Sequence, residues 1–356
     1  MFGRRVAWAT KMAVPELQSA FVFWRPTPGT TQPSTAPTTQ PPERHPATIA
    51  PTDAPTHQGE KTITVAADGS GDVATVQEAI EKIADNNADR TTIRIKRGKY
   101  VGPFVLGRAK RNVSLVGAGS SPSKVVLWTA LNVRDPVPAE VPPKMGGNAF
   151  IVLGDDFHAE NLTFANTAGD HGQAMALRLQ ADRAVLRDCR LLGWQDTLLV
   201  HSGRHYFSNC HIEGRVDFIY GAGVDVFEKC EIDSKQGGYI TAASTAEGAP
   251  FGYVFLDCKL VSSDPAPTYL GRPWRPFAKV AFIRCEMGAH IRPEGWHNWN
   301  KPDAEKTSFY AEYACTGPGA DRAQRVSWAH RLSDDEAKSY TVQNVLKGED
   351  GWDPTK

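Results

Sequence analysis

Two aspartates occupy the same place in a repeated pattern. Asp196 lies seven residues after Cys189, and Asp217 lies seven residues after Cys210. If the two segments stack in register, two carboxylates about 5 Å apart at an effective dielectric near 20 repel by roughly 3 kcal/mol, which is about two pKa units. One of them should then keep its proton near neutral pH while the other is ionised. Such a pair could supply a general acid and a nucleophile.

Two amides and a guanidinium fall on the same strip of the repeat. Gln173 precedes Cys189, and Arg272 precedes Cys285. The number of residues between the members of each of these pairs is nearly the same as between each aspartate and the next cysteine along the chain. Gln173 and Gln195 offer N–H donors of the kind that hold an oxyanion forming at a carbonyl carbon. Arg272 should keep the nearer carboxylate ionised. Aligned aspartates can also cap solenoid turns without catalysis, but these accompanying groups favour a site for chemistry.

The elements that must position these side chains repeat along the chain. Five segments share the order apolar, two residues, cysteine, polar, apolar: Leu186–Leu191, Phe207–Ile212, Phe227–Ile232, Phe255–Leu260 and Phe282–Met287. Their cysteines are Cys189, Cys210, Cys230, Cys258 and Cys285, and an earlier copy begins at Ala159 with Asn161 in the cysteine place. A period of roughly 20 to 28 residues with β-type segments is typical of a solenoid with parallel coils. We therefore predict an all-β fold, a right-handed parallel β-helix.

The repeated cysteines are interpreted as a ladder of small buried side chains. Coils about 4.8 Å apart would allow a disulfide between neighbours. Zinc is disfavoured because the chain has no Cys-x-x-Cys and no clustered His and Cys. One amphipathic helix, a short N-terminal capping helix, is predicted around Ala74 to Asn86, with Thr75 and Glu78 as a capping box. Everything after it is predicted to be strand.

Composition defines three regions and excludes some classes of function. The 356 residues carry 40 Lys+Arg and 40 Asp+Glu, so no basic field favours nucleic acid, and no run of about 18 apolar residues predicts a membrane span. Residues 26–60 form a predicted disordered linker, with nine Pro and nine Thr between positions 26 and 56. Residues 1–25 lack the unbroken apolar run of a secretory signal, which leaves a misplaced start codon or another export route. Residues 61–356 are the predicted catalytic domain.

Ten short motifs resemble those of the pectinesterase family, the pectin methylesterases. They cover Lys61 to about Asp353 and are specific in combination: Asp68-Gly-Ser-Gly-Asp, Thr75-Val-Gln, Asn166-Thr-Ala-Gly, Gly172-Gln-Ala-Met-Ala-Leu, Trp194-Gln-Asp-Thr-Leu, Val216-Asp-Phe-Ile-Tyr-Gly, Tyr269-Leu-Gly-Arg-Pro-Trp, Gly295-Trp296, Gly317-Pro-Gly-Ala and Arg325-Val-Ser-Trp. The resemblance implies a right-handed parallel β-helix enzyme that removes methyl esters from the galacturonate units of pectin.

The resemblance also implies a role for each matching residue. Asp217 would be the nucleophile, Asp196 the general acid and then base, Gln173 and Gln195 the oxyanion donors, Arg272 the partner of Asp217, and Trp274, Tyr220 and Trp296 the aromatic walls of the sugar cleft. Trp299 is interpreted as a packing residue. The resemblance implies neither metal nor organic cofactor. The expected partner is methylated homogalacturonan, with no nucleic acid and no membrane, and we expect a secreted monomer.

Three alternatives stay open at this point. A pectate lyase on a similar solenoid would need calcium held by several carboxylates and an arginine base. A non-catalytic carbohydrate-binding β-helix would have no use for an acid pair with an arginine. An esterase with the same machinery could act on another substrate, such as an acyl thioester.

Overall fold

The computed structural model describes residues 61–139, 141–142, 144–264 and 266–356. The predicted uncertain segment at 1–25 and the predicted linker at 26–60 lie outside these residues. No helix in the described part is long and apolar enough to cross a membrane.

The described residues are dominated by short strands that pair in parallel. In chain order they are β1 (Lys61–Val65), β2 (Thr91–Lys96), β3 (Gly98–Val101), β4 (Phe104–Leu106), β5 (Val113–Ala118), β6 (Val125–Thr129), β7 (Asn148–Val152), β8 (His158–Glu160), β9 (Thr163–Asn166), β10 (Met175–Gln180), β11 (Ala184–Arg187), β12 (Arg190–Leu192), β13 (Leu198–Ser202), β14 (Arg204–Ser208), β15 (His211–Gly221), β16 (Val224–Glu228), β17 (Glu231–Ala243), β18 (Tyr253–Leu256), β19 (Lys259–Val261), β20 (Thr268–Gly271), β21 (Lys279–Ile283), β22 (Glu286–Met287), β23 (Phe309–Tyr313) and β24 (His330–Arg331).

The strands form three parallel ladders that the chain visits in turn. The first ladder is β1-β2-β5-β8-β11-β14-β16-β18-β21-β23-β24. The second joins β3, β6, β9 and β12 to β15, β17, β19 and β22, and the third joins β4, β7, β10 and β13 to β15, β17 and β20. The long strands β15 and β17 run through both of these ladders. This arrangement confirms the predicted parallel β-helix.

The core is built from equivalent side chains on successive coils. Phe207, Phe227, Phe255 and Phe282 stack with ring centroids 4.6, 4.5 and 4.4 Å apart, and all four are fully buried. Each ring thus covers the faces of its neighbours. Each repeat in the sequence therefore adds one coil to the solenoid and one phenylalanine to the stack.

The cysteine ladder is present, with two corrections. Arg190 pairs with Thr163, so Leu162 and not Asn161 occupies the cysteine position of the earlier copy. Asn161 instead shares the corner position directly before the cysteine, where the backbone is left-handed in every copy. Cys315 adds a sixth member, and all six thiols are free. Asn and Asp tolerate left-handed φ better than most residues, which explains their frequency at this corner.

The predicted first helix is shorter than the pattern indicates. It is α1 (Val76–Glu81), and Thr75 and Glu78 form the capping box. Ile83 is buried although it lies beyond the end of the helix. Because it continues the helical spacing of apolar residues, the sequence predicts a longer helix than the structure has. That the helix caps the solenoid stays a prediction.

The prediction of strands alone after this helix is wrong. The chain also contains α2 (Ala304–Thr307), α3 (Asp334–Ala337), α4 (Val342–Leu346) and 3-10 turns at Pro122–Lys124 and Pro318–Ala320. Side-chain caps at Ser333 and Thr341 start α3 and α4. Val345 and Leu346 of α4 are buried against the outer face of the first ladder.

Candidate active site

Asp196 and Asp217 occupy equivalent positions on neighbouring coils. Leu198 pairs with Ile219, and each aspartate lies two residues before its member of that pair. Both aspartates have left-handed backbones, with φ of 67° and 52°. Both side chains lie at the floor of a groove and are almost buried, with 2% and 5% of their surface exposed. The register argument from the sequence therefore places the pair correctly.

Arg272 reaches Asp217 from two coils away. Its Nε and Nη2 donate to the two carboxylate oxygens at 2.8 and 2.7 Å, a bidentate ion pair. The preceding residue must be glycine, because a Cβ on Gly271 would lie 1.9 Å from the Thr241 hydroxyl oxygen. Because Gly271 has no side chain, β20 can lie close to Thr241 of β17. Arg272 follows directly and extends its guanidinium across β17 to Asp217.

Two aromatic rings hold the Arg272 guanidinium in this position. Its central carbon lies 3.8 Å from the ring centre of Tyr239 and 3.7 Å from that of Trp299. Tyr239 in turn stacks on Tyr269 at 5.3 Å. Stacking on both rings restricts the guanidinium to one plane, the plane that its bidentate contact with Asp217 requires.

The two carboxyl groups have different surroundings and different proton affinities. Gln173 Nε2 donates to Asp196 Oδ2 at 2.8 Å, and Tyr220 lines the pocket beside Asp196. Burial, followed by the charge of Asp217, raises the pKa of Asp196 to about 7. Burial also raises the pKa of Asp217, but the bidentate contact with Arg272 opposes that rise. Asp217 is therefore the first of the pair to ionise, and Asp196 keeps a proton up to neutral pH.

Gln173 and Gln195 pair across adjacent coils at the rim of the groove. They form an isolated parallel bridge, and the amide of Ala174 donates to the Gln195 carbonyl at 3.2 Å. The backbone therefore brings both side-chain amides beside the acid pair. The Gln173 amide donates to Asp196, whereas the Gln195 side chain faces the groove.

The acid pair opens into two connected pockets along one face of the solenoid. The central pocket has a volume of about 190 Å³ and is lined by Gln173, Gln195, Asp196, Asp217, Tyr220, Ala242, Arg272, Trp274 and Trp299. The side pocket has a volume of about 240 Å³ and shares Gln173, Asp196 and Tyr220 with the central one. Tyr220 and Trp274 lie 5.8 Å apart between ring centres and form an aromatic wall. Seven of the eight predicted site residues thus converge here.

The eighth, Trp296, does not line the groove. Its side chain is 1% exposed, stacks on Tyr310 at 4.3 Å and donates toward Glu312, so it is part of the core. The pairing of Gly271 with Trp296 directs the indole inward. Trp299, which the sequence interpretation assigned to packing, lines the central pocket together with Trp274. Its left-handed φ of 56° turns the chain outward after the buried segment, and no periodic signal in the sequence marks that turn.

A separate group of possible metal ligands lies outside the groove. His211, Glu213 and Asp233 have ligand atoms within 4.8 Å of one another. Lys235 Nζ binds Glu213 at 2.6 Å, and His211 Nδ1 contacts Glu231 at 2.9 Å, so two of the three residues already have partners of opposite or complementary character. We therefore do not propose a metal site at these three residues.

A family model described as Pectinesterase matches residues 62–349. The chain belongs to the pectinesterase family. This is a family of carboxylic ester hydrolases. The chain is 42% identical over 297 residues to Pectinesterase 31 of Arabidopsis thaliana, covering 81% of this chain and 93% of that protein.

Solved structures of pectin methylesterases share the fold of this pectinesterase. The carrot enzyme has a TM-score of 0.75 and 31% identity, covering 85% of this chain and 96% of the other. The enzyme from Aspergillus niger has a TM-score of 0.72 and 27% identity, covering 86% and 99%.

Proposed function

We propose that this pectinesterase hydrolyses the methyl esters of galacturonate units in pectin to give free carboxylates and methanol. The observation that carries the proposal is the placement of Asp196, whose pKa is raised by burial to about 7, beside the Arg272-bound Asp217 on the floor of an open groove. The comparisons support the substrate class. One solved pectin methylesterase, described as a complex with a hexasaccharide, has 27% identity and a TM-score of 0.69, covering 85% of this chain and 100% of the other.

In the first half-reaction, an oxygen of ionised Asp217 attacks the C6 carbonyl carbon of a methylated galacturonate. The carbonyl oxygen becomes an oxyanion that accepts hydrogen bonds from the amides of Gln173 and Gln195. The C6–methoxy bond then breaks, and Asp196 gives its proton to the leaving oxygen, so that methanol departs. The product on the enzyme is a mixed anhydride between Asp217 and the substrate.

In the second half-reaction, water replaces methanol beside Asp196. Asp196 is now a carboxylate and removes a proton from that water as it attacks C6. The bond from C6 to Asp217 breaks, the galacturonic acid leaves, and Asp196 is protonated again. A pKa of about 7 suits Asp196 to both roles, because the group can donate and accept a proton near neutral pH.

Arg272 keeps Asp217 anionic and turns one carboxylate edge toward the groove. Without the guanidinium, burial beside a second carboxyl would favour the protonated, unreactive form of Asp217. Tyr220 and Trp274 offer aromatic faces for sugar rings on either side of the reacting ester. We also propose that the enzyme acts outside the cell as a monomer, consistent with a polymer substrate and an open groove.

Methanol release from highly methylated pectin tests the proposal. The wild-type protein should release methanol and acidify the solution in equal amounts, with no unsaturated uronate product and no loss of rate in EDTA. An unsaturated product that requires calcium would indicate a lyase. Hydrolysis of a thioester with no release from pectin would indicate another substrate. Binding of pectin without any product would indicate a carbohydrate-binding protein.

A further inference from the structure

Lys301 contacts two separate segments that form the wall of the central pocket. Its Nζ donates to the carbonyl oxygens of Pro273 and Trp274 at 3.3 and 3.0 Å. The same ammonium lies 4.5 Å from the ring centre of Trp299. Trp274 and Trp299 both line the central pocket, although they come from different parts of the chain. One ammonium group therefore joins the two tryptophans of this pocket.

A tight turn brings Lys301 to this position. Trp299 and Asn300 both have left-handed backbones, with φ of 56° and 55°. The amide of Lys301 donates to the Asn298 carbonyl at 3.0 Å, which closes the turn. Positive φ at both central residues is typical of a type I′ turn, and the Asn298 side chain accepts from the amide of Asn300 at 2.9 Å. The turn thus fixes the Trp299 ring and the Lys301 ammonium relative to each other.

The surroundings of Lys301 disfavour a cation. Burial lowers the pKa of Lys301, and the charges of Arg275 and Arg272 lower it further. The charge of Asp217 acts in the opposite sense. A residue that only packed against Trp299 would not need a charge beside two guanidinium groups, so the ammonium requires another explanation.

The charge of Lys301 acts on the proposed nucleophile. Burial raises the pKa of Asp217, and Arg272 and then Lys301 oppose that rise. Arg272 does so through direct hydrogen bonds, whereas Lys301 acts through space. The other ionisable side chains near this carboxylate are Asp196, Tyr220 and Tyr310. None of these three is a cation, so Lys301 is a second positive charge that favours the anion.

We propose that Lys301 is a positioning residue for the hydrolysis of the ester. Its ammonium keeps Trp274 and Trp299 in a fixed arrangement, and its charge helps to keep Asp217 ionised. Because Trp299 covers the guanidinium of Arg272, a fixed Trp299 ring also favours the bidentate contact with Asp217. This inference rests on the proposed function.

Three variants test the inference through methanol release. Lys301→Met removes the charge and the N–H donors but keeps most of the side chain. Its kcat/KM should fall about tenfold, in line with the loss of one charge-assisted hydrogen bond, and the acid limb of its pH profile should move to higher pH. Lys301→Arg retains the charge and should keep the wild-type acid limb. Lys306→Met, at an exposed position on α2, is the control and should match wild type in both respects.

A carbon-13 NMR titration of the Asp217 carboxyl group separates this inference from the proposed function, because it needs no substrate. The signal is assigned by its loss in Asp217→Asn. The carboxyl group should titrate at higher pH in Lys301→Met than in wild type, whereas Lys306→Met should titrate as wild type does. If folded wild type releases no methanol, the proposed function fails, and the titration still tests the effect of Lys301.

Two results would overturn the inference. One is a Lys301→Met variant in which both the Asp217 titration and the acid limb are unmoved. A lower melting temperature of that variant would not rescue the inference, because a purely structural role lowers stability without changing the ionisation of Asp217. The other is an acid limb that moves as far in Lys301→Arg as in Lys301→Met, since the charge is retained in the first and lost in the second.

Discussion

Asp217 binds the Arg272 guanidinium through both of its carboxylate oxygens, whereas Asp196, at the equivalent position one coil earlier, accepts a hydrogen bond from the neutral Gln173 amide. The two coils supply the same residue at the same place. The Arg272 guanidinium comes from two coils beyond Asp217. It makes Asp217 an anion and leaves Asp196 a weak acid.

The pH dependence of kcat/KM should be bell-shaped. Activity should fall as the pH rises through about 7, because free-enzyme Asp196 then loses the proton that the leaving methoxide needs. It should also fall at low pH, once Asp217 is protonated, at a pH above the ordinary range for aspartate. Initial rates on a neutral, fully methylated oligomer between about pH 3 and pH 10 measure both limbs. A flat profile from neutral to alkaline pH would contradict the assignment of Asp196 as the acid.

Asp196→Asn should stabilise the folded protein at neutral and alkaline pH. The pKa of Asp196 is raised from 3.8 to about 7 on folding, so the folded wild type binds more protons than the unfolded chain between those values. Its free energy of unfolding therefore falls as the pH rises through this window, by up to about 4 kcal/mol. Asn has no such ionisation, so the stability difference should grow in the variant's favour from about pH 4 to pH 7.

Thermal unfolding of both proteins at several pH values measures this effect. Equal melting temperatures of wild type and Asp196→Asn at pH 8 would show that Asp196 is not held in its protonated form. Asp257→Asn serves as a comparison, because Asp257 is exposed and paired with Arg284 and should give no such trend in its favour at high pH.

Gln195→Ala should lower kcat about 10²-fold with little change in KM. The Gln195 side chain faces the groove, so its amide can donate to an oxyanion that exists only after attack on the carbonyl. Gln173→Ala should lower kcat and also shift the alkaline limb of the pH profile, because Gln173 donates to Asp196 in the free enzyme. Steady-state methanol release over a range of substrate concentrations separates the two variants. A rise in KM alone in Gln195→Ala would assign this residue to substrate binding.

Trp299→Ala should loosen the Arg272 guanidinium and lower kcat by about tenfold, while Trp299→Phe should recover most of the rate. Trp299 covers one face of the guanidinium at 3.7 Å. Because Arg272 then holds Asp217 less firmly, the acid limb of the pH profile should move to higher pH in Trp299→Ala. A higher KM with an unmoved acid limb would mean that Trp299 acts on the sugar alone.

The repeat in the sequence was sufficient to predict the fold and the position of the acid pair. The recurring cysteines fix the register, and the register places Asp196 beside Asp217 because parallel coils transmit a sequence offset directly into space. The motif resemblance supplied the individual roles, which stay proposals.

The parts that the sequence could not supply depend on side-chain direction at irregular turns. Trp296 and Trp299 are three residues apart in one segment, yet only Trp299 reaches the groove, because left-handed backbones at Trp299 and Asn300 reverse the local direction. The role of Tyr239 was missed for a related reason. Tyr239 belongs to no polar motif, and only the assembled coils show it stacked on Arg272.

Methanol release by Asp217→Asn tests the central claim most directly. The matched control is Asp257→Asn, since Arg284 binds Asp257 through the same two nitrogens at 2.7 and 2.7 Å and both aspartates have left-handed backbones. Asp217→Asn should fold and bind methylated pectin but lose about 10⁴-fold or more in kcat, while Asp257→Asn should keep the wild-type rate. Turnover by folded Asp217→Asn within about tenfold of wild type would show that this carboxylate is not the nucleophile, and the account would be wrong.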